Sequence, residues 1–305
     1  MNEFWQEFLA IKHLDKQTKY ASAYHFELTE KLATELLNLV LIGKKRATSS
    51  SLKAYEIGKE ALPKGGDYNI ITDFKGVPYG VVKTSKVTVL PYKEMTFELC
   101  KKEGEDDSLE SWQRGHEHFF KEEGKEMGYE FNEDLMVVFE EFELVYQKPL
   151  IRIATKSDAE ARGYVHFAAW QETYIPIMGE EFLAHQSLER SVAIAREHYA
   201  DTLLAIVAGQ VVGFLCFTKS RDADEPNAGE IQALYLLKKY QHQGIGYQLM
   251  RAGEEKLKEY PTLLLWVLLD NHSAITFYEQ CGFKKDGKKQ AIPLKNPVYE
   301  IRMRK

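Results

Sequence analysis

The spacing of apolar residues divides the first half of the chain into a few helices and a small set of strands. The predicted elements are helices at 2–12 and 26–42, strands at 67–73 and 78–90, an acidic helical stretch at 94–127 and a closing strand at 135–146. In helix 26–42 the predicted core stripe is Leu28, Leu32, Leu36, Leu39 and Val40. Helices around a small, mostly antiparallel barrel fit this order better than a parallel sheet does.

The second half has a different pattern and predicts a mixed α/β sheet. Its predicted elements are a strand at 151–154, helices at 157–174 and 179–199, strands at 203–208, 211–219 and 229–237, a helix that ends at Tyr260, an apolar strand at 263–269, a short helix at 272–281 and a final strand pair. Pro149 lies between the two patterns and, lacking an N–H, interrupts regular structure. The predicted fold class is therefore α+β in two domains, residues 1–148 and 149–305.

The composition is that of a folded chain with enough apolar material for two cores. Of the 305 residues, 44% are hydrophobic and 28% are charged, which excludes a disordered chain, a collagen-like repeat and a disulfide scaffold. The cysteines, Cys100, Cys216 and Cys281, are far apart, show no metal-binding spacing and are expected to be either small buried apolar residues or residues without a role. With no signal peptide and no apolar run long enough for a membrane helix, we expect a cytoplasmic protein without a metal and without a membrane span.

Negative charge is concentrated in the first half of the chain. Residues 1–150 carry 20 Lys and Arg against 27 Asp and Glu, and residues 101–150 alone carry 6 against 15. Residues 151–305 carry 20 against 19. Because a surface that binds duplex nucleic acid needs the opposite sign, the sequence argues against bulk nucleic-acid binding and leaves room only for a small, local basic site.

A glycine-containing loop between a strand and a helix is the main candidate ligand site of the second half. Residues 241–246, Gln-His-Gln-Gly-Ile-Gly, follow strand 229–237 and open the next helix. Two glycines let the backbone approach a ligand, and the N–H groups at a helix start carry positive potential that suits a pyrophosphate. A tight strand-to-helix turn without a ligand has the same glycines, so the loop alone does not decide between the two.

The loop and a second block together resemble the GNAT superfamily of N-acetyltransferases. The spacing Q-x-x-G-x-G at 241–246 is similar to that family's acetyl-coenzyme A motif, and 270–283 is similar to its N-x-x-A-x-x-F-Y-x-x-x-G-F segment. Trp170, Thr173 and Tyr174 resemble the W-x-x-T-Y run of some members. The resemblance covers nearly all of 151–305 and implies a mixed α/β acyl-CoA N-acyltransferase fold with acetyl-CoA as cofactor.

The resemblance also implies roles for individual residues. The loop would hold the cofactor pyrophosphate, and the end of strand 229–237 would bond the pantetheine arm through its backbone. The implied cofactor-binding residues are Leu234, Tyr235, Leu236, Gln241, His242, Gln243, Gly244, Ile245, Gly246 and Asn271. Tyr278 matches the family position whose hydroxyl protonates the leaving thiolate, and a core tyrosine is the alternative interpretation.

Four further residues complete the predicted acetyltransferase site. A carboxylate at the start of strand 229–237 can remove a proton from the acceptor amine, which makes Glu230 the candidate base, against a strand-edge carboxylate with no role. Trp170, Glu172 and Tyr174 are predicted to line the acceptor pocket, against a role in packing alone. The implied mechanism is direct transfer, in which the amine attacks the thioester carbonyl and backbone N–H groups stabilise the oxyanion.

In the first half, Gly43 to Thr48 fits the pattern G-x-K-x-x-T. Together with 62–68, 101–105 and 112–120 this segment resembles the ASCH domain, a small PUA-like barrel that binds RNA or modified nucleosides. Some ASCH proteins resemble amidohydrolases of N4-acetylcytidine, and the matching positions here are Lys45, Thr48 and Glu103. A lysine with a lowered pKa can activate a threonine hydroxyl beside it, whereas a solvated or phosphate-binding basic turn is the alternative.

The expected function combines the two resemblances. We expect an acetyl-CoA-dependent N-acetyltransferase that acts on a small-molecule or peptide amine and is joined to an ASCH domain that binds RNA or a modified nucleoside. One alternative is an ASCH domain that hydrolyses N4-acetylcytidine. The other is a nucleoside- or RNA-binding protein whose second domain only senses acetyl-CoA. Thiol release with a panel of amines distinguishes an enzyme from a sensor.

Overall fold

The chain folds into two compact units, Met1–Lys148 and Pro149–Lys305. The structure is a computed structural model that describes residues 1–178, 187–292 and 298–305. In these ranges no helix is both long enough and apolar enough to cross a membrane. All three cysteines are free and buried, as the sequence predicts.

The first unit is a curved, mostly antiparallel sheet with helices packed on it. Its helices are α1 (Asn2–Ile11), α2 (Glu30–Leu41), α3 (Leu52–Gly58), α4 (Phe97–Cys100) and α5 (Leu109–Met127), and its strands are β1 (Ser22–Tyr24), β2 (Ala47–Ser51), β3 (Tyr68–Thr72), β4 (Pro78–Pro91) and β5 (Met136–Gln147). The strand order is β1-β3-β4-β5-β2, and β1 is parallel to β3. Register shifts at Val81/Val82 and Thr84/Lys86 bend the long β4–β5 pair, so the sheet curves into a half-barrel.

The helical part of the first unit corrects two predictions. Leu28 and Leu32 of the predicted core stripe are 46% and 42% exposed. The helix begins only after its N-cap Thr29, and its buried residues are Ala33, Leu37, Val40 and Leu41. The acidic stretch 94–127 is not one helix, because α4 and α5 are separated by residues 101–108. There the Arg46 N–H donates to the Lys102 carbonyl at 2.8 Å, which holds the acidic segment against the chain that follows α2.

The second unit is a seven-stranded mixed sheet flanked by helices. Its strands are β6 (Leu150–Ile153), β7 (Thr202–Val207), β8 (Gln210–Lys219), β9 (Gly229–Leu236), β10 (Leu263–Leu268), β11 (Lys284–Ile292) and β12 (Val298–Arg304), and its described helices are α6 (Ala159–Met178), α7 (Leu188–Glu197), α8 (Ile245–Lys256) and α9 (His272–Gln280). The order is β11-β12-β10-β9-β8-β7-β6, with β9 parallel to β10. Of the predicted helix 179–199, residues 179–186 lie outside the described residues, and α7 occupies part of the remainder.

Local sequence signals explain several element boundaries in the second unit. Thr155 and Asp158 form a reciprocal capping box at the start of the turn that leads into α6, where the sequence predicts a helix start. Ala208 and Gly209 both have positive φ, as the tight turn between β7 and β8 requires. Both units mix helices and strands as predicted, and the α+β fold class is confirmed.

Candidate active site

In the second unit, β9 and β10 are paired only at their first residues. Gly229 is in register with Leu263 and Glu230 with Leu264, and beyond this point the two parallel strands separate. On its other side β9 remains paired with β8 as far as Leu236, with a register shift that leaves Gln232 as an extra residue. A bulged residue is unpaired in the ladder. The separated part of β9 therefore presents backbone groups to the opening between the strands.

The loop 241–246 follows the end of β9 and starts α8. Gly244 is the N-cap of α8 with φ of 79°, a backbone conformation that favours glycine, and no side chain caps this helix. Gln241 Nε2 donates to the Leu236 carbonyl at 3.3 Å, and Gln243 Nε2 donates to the Lys239 carbonyl at 3.0 Å. These bonds attach the loop to the end of β9. The first N–H groups of a helix have no intrahelical acceptor, so the start of α8 has the chemistry to receive an anion.

The remaining predicted cofactor residues surround the same region. Leu234, Tyr235 and Leu236 form the end of β9 beside β8. His242 is exposed with φ of 60°, whereas Ile245 is fully buried under the helix start. Gly246 is half-buried in the first turn of α8, and Asn271 caps α9 by accepting from the Ala274 N–H at 3.1 Å. Asn271 thus has a structural use as a cap in addition to its predicted one.

Tyr278 belongs to a group of tyrosines near the end of β9. It lies on α9 and is only 9% exposed. Burial raises the pKa of Tyr278, with smaller contributions from Tyr174 and Cys281. Burial and a hydrogen bond with Tyr174 likewise raise the pKa of Tyr235. These hydroxyls therefore stay protonated at neutral pH and act as hydrogen-bond donors.

The three predicted acceptor-pocket residues divide into two places. The Trp170 and Tyr174 rings are 4.9 Å apart, and each lies 6.5 Å from the ring of Tyr235. Glu172 instead accepts from the backbone N–H of Lys238 at 2.9 Å, and so ties α6 to the turn before the loop. Trp170 and Tyr174 therefore lie together beside β9, whereas Glu172 instead bonds the turn that precedes the loop 241–246.

His166 is an aromatic neighbour that the sequence did not single out. Its ring lies 5.2 Å from the ring of Tyr235. Burial, with a smaller effect of Arg162, lowers the pKa of His166 to about 4. The imidazole is therefore neutral at physiological pH. The sequence signal for His166 is its i, i+4 spacing from Trp170, which places both residues on one face of the helix.

Glu230 lies in the wall of a cleft rather than at a solvent-exposed strand edge. It is 3% exposed, and Arg221 donates to it from Nη2 at 2.5 Å, from Nε at 3.2 Å and from its backbone N–H at 3.1 Å. The cleft has a volume of about 300 Å³ and is lined by Arg221, Asp222, Glu230, Gln232, Trp266, Gln290 and Glu300. The predicted base and the bulged residue of β9 therefore share one polar cleft.

A buried arginine builds the rim of this cleft. Arg302 is 4% exposed and bonds Asp222 at 3.0 Å and Asp286 at 2.6 Å. Trp266 Nε1 also donates to Asp222, at 3.1 Å. These residues come from separate strands and loops, and the sequence carries no local signal for their meeting.

In the first unit, Lys45 and Glu103 meet in a buried ionic cluster. Lys45 is 2% exposed and Glu103 1%, and Lys45 Nζ lies 3.2 Å from Glu103 Oε2. Lys45 also pairs with Glu105. Trp112 Nε1 donates to Glu103 Oε1 at 2.8 Å, and His116 Nε2 lies 3.6 Å from Glu103 Oε2. A carboxylate with this many donors is strongly fixed in place.

The charges in this cluster are set by their neighbours. Burial alone would lower the pKa of Lys45, but Glu103 and Glu105 outweigh it and raise the pKa. Burial would raise the pKa of Glu103, but Lys45 and His116 lower it. The expected lowered lysine pKa is therefore corrected: the pKa of Lys45 is raised, because its ammonium lies between two carboxylates.

Gly104 allows residues 103–105 to pack directly against Lys44 and Lys45. Its φ is 71°, and a Cβ there would come within 2.5 Å of the Lys44 carbonyl oxygen. Any other residue would push Glu103 and Glu105 away from Lys45. The sequence identified Lys45 and Glu103, and this glycine explains how two residues 58 positions apart are joined.

Thr48 faces away from the Lys45–Glu103 pair. Residues of β2 alternate in burial, and Ser49 is the strand residue that donates to Glu103 Oε1, at 2.7 Å. Thr48 lies on the opposite face, in register with Glu140 of β5. The three residues proposed from the ASCH resemblance therefore do not converge. Ser49 is the cluster member that the sequence missed, whereas Glu105, Trp112 and His116 lie in blocks that carry the ASCH resemblance but were given no role.

The comparisons with known proteins agree with both resemblances. The model of the acetyltransferase (GNAT) family matches residues 97–283, and that of the ASCH domain matches 22–146. An uncharacterized N-acetyltransferase of Bacillus subtilis (strain 168) is 30% identical over 142 residues, which cover 42% of this chain and 76% of the relative. The matched ranges overlap at 97–146, and in the structure those residues belong to the first unit.

Two solved structures are each similar to about half of the chain. The ASCH domain of Lactobacillus crispatus JV V101 is 29% identical, with a TM-score of 0.43, and the match covers 47% of this chain and 92% of that one. The PaiA N-acetyltransferase of Thermoplasma acidophilum, solved in complex with coenzyme A, is 22% identical with a TM-score of 0.41, covering 51% and 98%.

The chain belongs to the acetyltransferase (GNAT) family, whose members use acetyl-CoA, and it carries an ASCH domain. It is therefore an enzyme of the acyltransferase class.

Proposed function

We propose that the second unit transfers the acetyl group of acetyl-CoA to an amine. The observation that carries this proposal is the opening between β9 and β10 beside the loop headed by Gly244. The residues fit the cofactor, because β9 has unpaired backbone on the opening and the start of α8 suits a pyrophosphate. When bound, acetyl-CoA supplies an acetyl group activated as a thioester.

Backbone and side-chain groups at the opening between β9 and β10 stabilise the charges that develop during acetyl transfer. The bulge at Gln232 offers backbone N–H to the oxygen that gains negative charge during attack. Tyr278 donates a hydrogen bond to the sulfur as the C–S bond breaks, and its raised pKa keeps its proton available for this. The leaving thiolate is thereby stabilised, and no metal is assigned a role.

Glu230 is proposed to take the proton that the amine loses when the new C–N bond forms. Its carboxylate lies in the polar cleft, and Arg221 fixes its orientation. The cleft walls add the carboxylates of Asp222 and Glu300. This charge favours a small or peptide amine that approaches as a cation and is deprotonated at Glu230.

Steady-state thiol release tests the proposed activity. The full chain is mixed with acetyl-CoA and a panel of primary amines, including polyamines, amino sugars and peptides with free N-termini. We expect release that depends on the amine and saturates with it. Binding of acetyl-CoA without release for any amine would instead support the alternative of an acetyl-CoA sensor.

We further propose that the ASCH domain binds a modified nucleoside or a short exposed RNA end. The acidic composition of 101–150 disfavours a long RNA, which leaves a small ligand as the better candidate. Hydrolysis of N4-acetylcytidine is the less supported alternative, because Lys45 is protonated and Thr48 faces away from it.

Incubation with N4-acetylcytidine separates binding from hydrolysis. The full chain is expected to bind the nucleoside without releasing cytidine. Release that disappears in Lys45→Ala, while the fold is retained, would restore the hydrolase alternative.

A further inference from the structure

One face of the sheet in the first unit carries a polar cluster that is separate from the Lys45–Glu103 pair. Every strand of the half-barrel contributes to it. The inner polar face consists of Ser22 and Tyr24 of β1, Thr48 of β2, Asn69 of β3, Thr84 of β4 and Glu140 of β5. A polar group supplied by all five strands is unusual for a sheet interior, which is normally apolar.

Glu140 is the centre of the inner polar face. It is 5% exposed, and Oε1 accepts both of its hydrogen bonds, from Thr84 Oγ1 at 2.5 Å and from Asn69 Nδ2 at 3.2 Å. In the part of the chain that the structure describes, no cation pairs with Glu140, and Oε2 has no hydrogen-bond partner. A buried carboxyl without a counter-charge is costly unless it is protonated or meets a ligand.

Two more side chains of the inner polar face are placed to hydrogen-bond a ligand. The hydroxyl oxygen of Tyr24 is buried and has no hydrogen-bond partner among the described residues. Thr48 lies directly across the β2–β5 ladder from Glu140, which places the two Cβ atoms about 5 Å apart. Thr48 and Tyr24 are only half-buried, so solvent reaches this face.

We propose that the inner polar face binds a small, uncharged, planar ligand through a donor–acceptor edge of the kind that a nucleobase presents, with Glu140 as its principal contact. A protonated carboxyl offers one O–H donor beside one acceptor, the complement of an amide-like edge. This proposal rests on the proposed nucleoside binding of the ASCH domain, and it assigns the binding site to Glu140 rather than to Glu103.

The electrostatics of this face shift Glu140 toward its protonated form. Burial raises the pKa of Glu140, with Asp67 adding to the effect and the Thr84 hydrogen bond opposing it. The titratable groups that face it from neighbouring elements are Tyr24 of β1, Tyr55 of α3 and Asp67 before β3, none of them a cation. Ligand binding should therefore weaken as the pH rises through the raised pKa.

Calorimetric titration of the full chain with cytidine and N4-acetylcytidine tests this site. We expect at least one of the two to bind, with affinity that falls about tenfold per pH unit once Glu140 has lost its proton. Glu140→Gln keeps a donor beside an acceptor, so it should bind with an affinity that no longer depends on pH. Glu140→Ala should lose about tenfold or more of the affinity at low pH.

Two matched variants serve as controls. Glu143→Gln removes an exposed carboxylate from the same strand, and Glu103→Gln changes the ionic cluster on the other face of β2. Both should keep the pH profile of the wild type. Loss of binding in a Glu103→Gln variant that is shown to be folded, or wild-type binding in Glu140→Ala, would overturn the Glu140 site while leaving nucleoside binding intact.

Two further results of the titration would also decide between the proposals. If neither nucleoside binds the wild type, both the site and the proposed nucleoside binding fail, whereas thiol release by the second unit is judged separately. If Glu140→Ala does not fold, Glu140→Gln still decides, because a pH dependence unchanged from the wild type would contradict the proposal.

Discussion

The carboxylate of Glu230 receives three hydrogen bonds from a single residue, Arg221, two from its guanidinium and one from its backbone N–H. The carboxylate is buried, but the Arg221 side chain is 62% exposed. The pair therefore links the interior of β9 to the solvent side of the cleft. An amine that enters the cleft reaches a carboxylate whose orientation is already fixed.

Glu230→Gln is expected to slow acetyl transfer most at low pH. The amide preserves the shape of the side chain but cannot accept the amine proton, and a deprotonated amine becomes available without help as the pH rises. We expect a loss of about 100-fold in kcat/KM at the acidic end of the profile. Glu197→Gln, which removes an exposed carboxylate at the end of α7, serves as the control and should leave the profile unchanged. A profile that is scaled uniformly, with its shape retained, would assign Glu230 a structural role.

Tyr278→Phe is expected to lower kcat and leave the affinity for acetyl-CoA nearly unchanged. The lost hydrogen bond forms to a sulfur that becomes charged during the reaction, and such bonds contribute about 1.5–3 kcal/mol, or roughly 10- to 100-fold in rate. Steady-state kinetics and equilibrium binding measure the two effects. Tyr199→Phe, elsewhere in the same unit, should change neither. An unaltered kcat at every pH would remove Tyr278 from the mechanism.

Gly244→Asp is expected to weaken acetyl-CoA binding by about tenfold or more. The variant places a negative charge where the pyrophosphate is proposed to bind, at a residue with φ of 79°. Gly209→Asp provides a matched control, because Gly209 has φ of 77° and open space around it in the β7–β8 turn. Equal affinities of the two variants would mean that the loop does not hold the cofactor.

His116→Gln is expected to destabilise the first unit in a pH-dependent way. Burial would lower the pKa of His116, but Glu103 outweighs it and raises the pKa. A raised histidine pKa stabilises the fold fully below the unfolded-state pKa of about 6.5, and this contribution is lost as the pH rises through the folded-state pKa. Urea unfolding should therefore show the largest loss at acidic pH.

The exposed His118 on the same helix provides the comparison for this measurement. His118→Gln should change the free energy of unfolding little at any pH. A loss in His116→Gln that grows toward alkaline pH would contradict the sign of the shift.

The sequence predicted those parts of the site that are contiguous in the chain. The loop at 241–246 and the block at 270–283 carry their own spacing, and both took up the predicted turn and helix start. Arg302 and Trp266 could not be found in this way, because their meeting depends on the register of β10 and β12. β10 and β12 are neighbours in the sheet but are not consecutive in the chain, so no hairpin turn between them fixes this register in the sequence.

The ASCH resemblance implied that Lys45 and Thr48 share one site, and the structure places them with different partners. Lys45 precedes β2, which begins at Ala47, so the alternation of strand residues applies to Thr48 and Ser49 and not to Lys45. The identity of their partners, Glu103 and Glu140, required the tertiary structure.

The most direct measurement of the central claim is mass spectrometry of the acceptor after reaction with acetyl-CoA that carries a labelled acetyl group. We expect one labelled acetyl on the amine for each thiol released by the wild type, and strongly reduced labelling with Gly244→Asp at subsaturating acetyl-CoA. Thiol release without labelled amine, or labelling that is the same in Gly244→Asp and the wild type, would contradict it.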